Sequence, residues 1–393
     1  MKLTSRCALQ ILVLLAIASC ALAGRDPFDA AALAAPVKPE NGRRDTSFFP
    51  IGVWVQSPAN AERYLAAGFN TYVGLWQGPT DAQLDALKAA GMKVVCAQNE
   101  VGLRRKDDPT LLAWMHNDEP DNAQAKRGGG YGPPVAPEKV IADYQKMKQA
   151  DSTRPVLLNL GQGVAWDDYI GRGVRRGHAE DYPEYLKGCD IASFDIYPAV
   201  HDSAVIAGNL WYVAQGVSRL RGWATPRQQV WNCIEASRIG NEKTKPTAAQ
   251  IKAEVWMSII HGSTGLIYFV HQFKPRFVEA SLLQDPELLA AVTQINARVQ
   301  ALAPVINAPT PARAAKAVSD PDAPVAVATR RQGGATYLFA VAMRAKATDA
   351  TISLPGVSSS KAEVLDESRT VALKRGELTD HFEPYQVHLY HIR

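Results

Sequence analysis

One stretch of the sequence decides the fold more than any other: Leu111-Leu112-Ala113-Trp114-Met115-His116-Asn117-Asp118-Glu119-Pro120. Its five apolar residues lead into a polar group that ends in a glutamate and a proline. A short apolar run bounded by turn residues is typical of a strand buried on both faces, as in a parallel sheet. A second stretch has the same design, Gln229-Val230-Trp231-Asn232-Cys233-Ile234-Glu235. Each stretch therefore predicts a buried strand that leads to a carboxylate.

Eight such runs follow one another from residue 48 onward, and helical patterns fill most of the gaps between them. The runs span 48–54, 70–75, 93–97, 111–116, 155–159, 190–197, 229–235 and 265–270. The helical patterns span 60–67, 80–90, 137–150, 247–260 and 285–302, whereas the gap after the third run is too short for a convincing helix. Strands that alternate with helices predict a parallel sheet, and eight of them predict an α/β fold of the (β/α)8 TIM barrel type.

The alternative to a closed barrel is an open doubly wound sheet. Such a sheet usually carries a glycine-rich phosphate loop after its first strand, and Val55-Gln56-Ser57-Pro58 is not one. We therefore expect a barrel over residues 47–305. A proline-bearing linker at 303–315 leads into short β-type runs with Gly and Asp turns, which predict a small antiparallel β-sandwich over residues 306–393.

The N-terminus has the pattern of an export signal. Lys2 and Arg6 precede an apolar run at 11–18, and Ala21-Leu22-Ala23 is a small-x-small cleavage site, so residues 1–23 predict a signal peptide. The run is shorter than the roughly 20 residues that span a bilayer. A rival interpretation is a lipoprotein box at 17–20, which would leave Cys20 lipidated as an outer-membrane anchor. Residues 24–46 predict a flexible mature N-terminus of a periplasmic or extracellular protein.

Composition excludes several partners and cofactors. Hydrophobic residues make up 47% of the chain and charged residues 21%, which is ordinary for a globular protein. The net charge of +4 falls to +2 when Lys2 and Arg6 leave with the signal segment, so neither nucleic acid nor an anionic membrane is indicated. No CxxC or His-Cys spacing suggests a metal, and no cofactor is expected. No later segment predicts a membrane span, and the oligomeric state is not indicated.

The polar residues at the strand ends suit a sugar. Active sites of TIM barrels lie at the carboxyl ends of the strands, and two carboxylates facing each other across a pocket are the machinery of glycoside hydrolysis. Aromatic rings stack on a pyranose while amides and carboxylates bind its hydroxyls. We expect Glu119 and Glu235 to be catalytic, and an oligo- or polysaccharide to be bound by Trp54, Trp76, Asn99, His116, Asn117, Asp118, Asn159, Gln162, Asp195, Tyr197, Asn232, His271 and Gln272.

Over residues 48–305 the chain resembles the retaining glycoside hydrolases of clan A. Glu119 after the fourth strand matches the position of the clan's acid/base, and Pro120 fits its common Asn-Glu-Pro form. Glu235 after the seventh strand matches the position of its nucleophile. The resemblance implies double displacement on a β-linked glycan through a glycosyl-enzyme, with the two carboxyl groups about 5–5.5 Å apart. It fixes no family within the clan.

One position departs from the clan's pattern. Asp118 stands where an Asn is usual, and Asn117 comes one residue earlier. A second acid beside Glu119 raises the pKa of that glutamate, which suits a general acid. Tyr197 is the residue expected to steady Glu235, while Asn232 and His271 are expected to bind hydroxyls.

Three other functions can be compared with this one. Two enzyme classes lack their characteristic residues, and a binding protein would not need both glutamates. A metal-dependent barrel hydrolase typically has a His-x-His on its first strand, and Gly52-Val53-Trp54-Val55 contains none. A Schiff-base lyase needs a Lys at a strand end, and none is evident. A non-catalytic carbohydrate-binding or surface-assembly protein is the remaining alternative, since it would keep the aromatic mouth without two glutamates at attack distance. The arginines at 172, 175 and 176 either bind an acidic or sulfated sugar or pair with nearby acids in their own loop.

Overall fold

The computed structural model describes residues 46–393. The predicted signal peptide at 1–23, the rival lipid anchor at Cys20 and nearly all of the predicted flexible N-terminus lie outside the described residues. Across residues 46–393 no helix is both long and apolar enough to cross a bilayer.

The first part of the chain forms a parallel barrel. Its strands are β1 (Ile51–Trp54), β2 (Thr71–Val73), β3 (Lys93–Cys96), β4 (Leu111–Met115), β5 (Val156–Leu160), β6 (Ile191–Phe194), β7 (Gln229–Val230), β8 (Asn232–Glu235) and β9 (Leu266–Phe269). The sheet runs from β7 through β6 down to β1, and then to β9 and β8. Because β7 and β8 are halves of one predicted strand on either side of Trp231, the two ends of the sheet meet. The predicted TIM barrel is confirmed.

Helices surround the barrel, and some of them begin at a residue whose side chain caps the helix. They are α1 (Ala61–Ala66), α2 (Asp81–Ala89), α3 (Glu100–Arg104), α4 (Pro137–Ala150), α5 (Tyr182–Tyr185), α6 (Trp211–Trp223), α7 (Ala248–Ile260), α8 (Pro286–Ala301) and α9 (Ala303–Ile306). Thr80 and Thr247 each accept a hydrogen bond from the third residue of the helix that follows, and a glutamine there reaches back to complete a capping box. The short α3 fills the gap where no convincing helix was predicted, and α6 was not predicted.

The barrel interior is filled by side chains that alternate with outward-facing ones along each strand. The buried interior cluster consists of Trp54, Val73, Val95, Ala113, Leu157, Ile191, Trp231, Cys233 and Ile267. A Cβ at Gly265 would lie 2.6 Å from the Trp231 ring, so only glycine lets that indole lie against the next strand. The interior is therefore a packed core, and chemistry is confined to the open carboxyl end. The described cysteines, Cys96, Cys189 and Cys233, are free and buried.

The C-terminal part is antiparallel. Its strands are β10 (Lys316–Val318), β11 (Val325–Gln332), β12 (Ala335–Ala342), β13 (Thr348–Ser353), β14 (Lys361–Val364), β15 (Arg369–Ala372), β16 (Glu377–Phe382) and β17 (Val387–Ile392). They form a five-stranded sheet in the order β11-β12-β17-β14-β15 and a three-stranded sheet in the order β10-β13-β16. This arrangement confirms the predicted β-sandwich.

The sandwich packs against helix α7 of the barrel. The rings of Trp256 on α7 and Phe339 on β12 lie 5.0 Å apart between centroids, and both side chains are buried. Tyr385 also donates a hydrogen bond of 2.6 Å to the carbonyl oxygen of Gly208 in the barrel. One continuous apolar cluster therefore joins the two parts of the chain.

Replacing Phe339 with alanine tests this joint. Phe339 has no solvent exposure, so Phe339→Ala leaves a cavity and should lower the free energy of unfolding by about 3–5 kcal/mol. Urea unfolding followed by fluorescence measures this change. The exposed Thr370→Ala on β15 serves as the control and should alter stability by less than about 0.5 kcal/mol. A loss below about 1 kcal/mol for Phe339→Ala would contradict the described packing.

Candidate active site

The candidate catalytic glutamate lies in a strained turn at the carboxyl end of β4. Glu119 has a φ of 43°, in the left-handed region that a side chain rarely adopts. Its N–H donates to the carbonyl oxygen of Asn159 on β5 at 3.1 Å, which holds the turn against the neighbouring strand. Strain of this kind persists only where the surroundings enforce it, and it clusters at functional sites.

Four acidic side chains meet at this end of the barrel, and we call them the acid cluster: Asp118, Glu119, Asp121 and Asp195. The carboxyl group of Glu119 is hydrogen-bonded to that of Asp195, which follows β6. Asp118 accepts a hydrogen bond of 2.9 Å from the Asn159 amide. Since two adjacent carboxylates cannot both ionise freely, the Glu119–Asp195 contact requires a shared proton.

Burial and mutual repulsion raise the pKa values of the cluster. Burial is the largest cause of the raised pKa of Glu119, which reaches about 7, and the charges of Asp118 and Asp121 add to it, while the hydrogen bond from Asp195 opposes it. Burial also raises the pKa of Asp195 well above its usual range, and the charge of Glu119 adds to it. A carboxyl group that keeps its proton near neutral pH suits general acid catalysis.

Asp121 anchors the cluster to the scaffold. It has no exposed surface, and it accepts hydrogen bonds from the Gly161 N–H at 2.9 Å and from the Tyr182 hydroxyl at 3.1 Å. A Cβ at Gly161 would lie 2.6 Å from the side-chain nitrogen of Asn122, so glycine is required at this close approach. Burial raises the pKa of Asp121, and the nearby guanidinium of Arg172 opposes that rise.

Tyr197 and Cys233 form the wall beneath the cluster. Their side chains are hydrogen-bonded to each other, and the Cys233 sulfur lies 4.0 Å from the amide oxygen of Asn159. The Tyr197 ring packs on Phe269 of β9 at 5.2 Å between centroids. The structure therefore brings together five of the predicted site residues, from three neighbouring strands: Asp118, Glu119, Asn159, Asp195 and Tyr197. The sixth, Trp54, is buried in the packed cluster inside the barrel.

Glu235 is not part of this group. It has no exposed surface, its carboxylate accepts a hydrogen bond from the Ala199 N–H, and its carboxyl group is hydrogen-bonded to that of Glu254 on α7. Burial raises the pKa of Glu235 to about 8 and that of Glu254 well above its usual range. Within residues 46–393 the acidic neighbour of Glu235 is thus Glu254 on helix α7. These two carboxyl groups share a second proton.

Other predicted sugar-binding residues divide into two groups. Gln162 faces the mouth and bonds His201 at 2.9 Å, and the His201 ring lies against Trp166. Trp76 is 74% exposed after β2, free to stack on a ligand. Asn117 is exposed beside Asp118, and Gln272 is half-buried after β9 in a short hairpin with Val278.

Four predicted residues are engaged in the scaffold. Asn99 caps α3 by accepting from the Gly102 N–H at 2.9 Å and donates to the Pro79 carbonyl oxygen. His116 bonds the Gly188 carbonyl oxygen at 2.8 Å, away from the cluster, and the Asn232 amide donates to Ser258 on α7 at 2.8 Å. His271 is buried between Gln56, at 3.1 Å, and the Val55 carbonyl oxygen, at 3.2 Å.

Several residues of the site were not predicted. They are Asp121, Tyr169, His201, Glu254, Phe273 and Phe277. Tyr169 lies near the acid cluster, since the charges of Glu119 and Asp195 add to the rise in its pKa that burial causes. Asp121 stands two residues after Glu119 in Asp-Glu-Pro-Asp, so the motif itself carried a signal. The rings of Phe273 and Phe277 are 50% and 60% exposed after β9, beyond the last predicted strand. Within residues 46–393 no group of three or more His, Cys, Asp or Glu side chains is arranged to hold a metal ion.

Solved structures similar to this one include glycoside hydrolases. Gan42B, a GH42 β-galactosidase from G. stearothermophilus, aligns with a TM-score of 0.59 at 9% identity, over 92% of this chain and 100% of that chain. An α-amylase from Geobacillus thermoleovorans complexed with acarbose aligns with a TM-score of 0.54 at 12% identity, over 89% of this chain and 99% of that chain. AmyP in complex with maltotriose aligns with a TM-score of 0.55 at 8% identity, over 88% of this chain and 97% of that chain.

These likenesses confirm the fold implied by the resemblance to clan A, a barrel with a following β-domain. No family model matches the chain, and no curated protein does either. The activity and its residues must therefore be argued from the site itself.

The Glu235–Glu254 pair predicts a pH dependence of stability. Because the pKa of folded Glu235 is raised from 4.5 to about 8, folding favours the protonated form; this contribution is complete below pH 4.5 and is lost as the pH rises through 8. Glu254→Gln removes one of the two buried protons. The free energy of unfolding of this variant should then fall less steeply between pH 5 and 8 than that of the unmodified protein. The two slopes should differ by up to about 1.4 kcal/mol per pH unit.

Urea titrations at several pH values measure this slope. Glu62→Gln, an exposed change on α1, is the matched control and should leave the slope as in the unmodified protein. Parallel pH profiles for Glu254→Gln and the unmodified protein would show that the pair holds no extra proton.

Proposed function

We propose that this protein is a glycoside hydrolase in which Glu119 protonates the leaving oxygen. The observation that carries the proposal is the acid cluster at the carboxyl end of a barrel, where Glu119 follows β4 and faces Asp195 after β6; burial there raises the pKa of Glu119 to about 7. A glycosidic oxygen is a poor leaving group unless it is protonated, and a carboxyl group still protonated near neutral pH supplies that proton. Exposed rings around the mouth, such as Trp76, offer stacking surfaces for a sugar.

The mechanism we propose is retaining double displacement on a β-linked glycan. In the first step a carboxylate attacks the anomeric carbon, while the Glu119 proton goes to the departing oxygen. In the second step ionised Glu119 takes a proton from water, whose oxygen attacks the same carbon and releases the enzyme carboxylate. Asp195 supports this cycle as a positioning residue, because its hydrogen bond holds the Glu119 carboxyl group and accommodates the shared proton in both charge states.

Glu235 is the proposed nucleophile, on the strength of its position after the seventh strand. It must be ionised to attack, and it must exchange its contact with Glu254 for a position about 5–5.5 Å from Glu119. Asp195 is the rival nucleophile, because it already faces Glu119. The two assignments differ in which substitution removes the covalent step.

Two features of the proposal rest on the sequence. Export follows from the signal pattern at residues 1–23, with lipid attachment at Cys20 as the alternative. The β-linkage follows from the resemblance to clan A. Matched α- and β-linked aryl glycosides test the linkage directly, and we expect hydrolysis of the β-linked member alone.

Substitutions at three carboxylates test the catalytic roles. Glu119→Gln should lower kcat/KM on oligosaccharides by about 10²- to 10⁴-fold, and by much less on dinitrophenyl glycosides, whose leaving group needs no proton. Glu235→Gln should abolish turnover of both substrate types. Asp195→Asn should retain part of its activity, because an amide still donates a hydrogen bond to Glu119.

Thermal unfolding of each variant separates loss of chemistry from loss of fold. Equal activity in Glu119→Gln and the unmodified protein would remove the proposed general acid. Full activity in Glu235→Gln, together with complete loss in Asp195→Asn, would assign the nucleophile to Asp195 and make Glu235 a buried scaffold acid.

The pH dependence of kcat/KM tests the electrostatic role of Asp118. Activity should fall as the pH rises through about 7, where Glu119 loses its proton. Asp118→Asn removes a charge that raises the pKa of Glu119, so the fall should move to lower pH, while the new amide oxygen can still accept from Asn159. An unchanged alkaline limb would show that Asp118 does not act on the catalytic proton.

A non-catalytic carbohydrate-binding protein is the second function that an observation favours. Glu235 is fully buried against Glu254, which is the arrangement expected if the barrel only binds sugar. Binding of oligosaccharides without turnover of any aryl glycoside, in a protein whose Glu119→Gln variant binds equally well, would support this function over hydrolysis.

A further inference from the structure

A separate cleft opens on the side of the barrel mouth opposite β4 and β6. It has a volume of about 450 Å³ and lies between the segment after β1 and the segment after β9. Its lining includes Arg63, Arg276, Phe277, Glu279 and Gln284. Both segments follow the carboxyl ends of strands, so the cleft opens on the same face of the barrel as the acid cluster.

The cleft carries cationic side chains that no acid in the described part of the chain pairs with. Arg63 and Arg276 are exposed, and neither takes part in an ion pair within residues 46–393. Arg63 is steadied by a hydrogen bond of 2.9 Å to the Leu283 carbonyl oxygen. Glu279 is the single acid in the lining, and it is engaged by the Ser57 N–H. Two guanidinium groups against one carboxylate favour an anion in the cleft.

The arginines after β5 differ in this respect. Arg172 and Arg175 both pair with Asp181, and Arg176 pairs with Asp168 at 3.2 Å. That loop is self-paired, so the alternative that its arginines bind an acidic sugar loses its support. Arg63 and Arg276, which form no ion pair within residues 46–393, lie at the other side of the mouth.

A row of rings joins the cleft to the acid cluster. Tyr197, beside Asp195, packs on Phe269 at 5.2 Å between ring centroids, and Phe269 packs on His271 at 5.1 Å. The His271 ring stacks on Phe277 at 6.0 Å, and Phe277 lines the cleft. Aromatic surfaces in sequence bind the apolar faces of successive sugar rings. His271 is buried, so the rings open to a glycan are the exposed Phe273, which lies 6.2 Å from Phe269 between centroids, and Phe277, which lies 5.8 Å from Phe273. A glycan held at the acid cluster can extend over these two rings to the cleft.

We infer that the cleft is a subsite for an anionic sugar unit, one that carries a carboxylate or a sulfate ester. Arg63 and Arg276 bind the charged group, since guanidinium forks match both oxyanions. Phe277 stacks on the ring of that sugar, and Gln284 binds its hydroxyls. The inference rests on the proposed function for the glycan as ligand, and it names the class of glycan: a polymer with acidic residues.

Binding of matched oligosaccharide pairs tests the subsite without any turnover. The Glu119→Gln variant is used, and binding is measured by isothermal titration calorimetry. One set of ligands compares oligogalacturonate and glucuronate-containing fragments with their carboxyl-reduced forms. The other set compares sulfated galactan fragments with their desulfated forms. At least one charged member should bind tenfold or more tightly than its neutral counterpart, and the arm that shows the preference identifies carboxylate or sulfate.

Arg276→Gln should remove most of that preference, because binding of the charged member weakens far more than binding of the neutral member. Arg375→Gln, an exposed change in the sandwich, is the control and should keep the preference in full. Equal binding of the charged and neutral members, including no binding of either, overturns the inference, as does a preference that survives Arg276→Gln. Because binding is measured and not hydrolysis, a failed subsite and a failed glycosidase assignment give different results.

Discussion

The site depends on one constraint, which is that four carboxyl groups are crowded together at the carboxyl end of the barrel with little positive charge. Within residues 46–393, Arg172 beside Asp121 is the cation that opposes the raised pKa values of the acid cluster. Burial without compensation favours the neutral form of a carboxyl group, so at least one proton must stay at neutral pH. The Glu119–Asp195 hydrogen bond is where that proton is shared, and it gives one barrel end both an acid and its conjugate base.

The rest of the molecule holds this arrangement in place. The turn with positive φ at Glu119 is tied to β5 through the Asn159 carbonyl oxygen, and Asp121 fixes the loop to Gly161 and Tyr182. The sandwich contributes indirectly, because β12 packs on α7, the helix that carries Glu254. The position of Glu235 is therefore coupled to the joint between barrel and sandwich.

Much of the fold could be predicted from the sequence, because the buried parallel strands of the barrel are continuous apolar runs. Helix α6 could not: Leu210 at its start offers no side-chain cap, and Gly216 stands inside it because a Cβ there would meet the Phe194 ring at 2.2 Å. At the site, position after a strand predicted Glu119 and Asp195 but not which carboxyl groups pair. Asn99 shows the ambiguity, since a polar residue at a strand end can equally cap the next helix.

The central claim is that Glu119 carries a proton near neutral pH because of its acidic neighbours. Carbon-13 NMR of protein labelled at the glutamate carboxyl carbon measures this directly, with Glu119→Gln identifying the signal. The account predicts that the Glu119 signal, titrating together with Asp195, changes near pH 7, the raised pKa of that residue. A Glu119 signal that completes its titration below pH 5 would contradict the account.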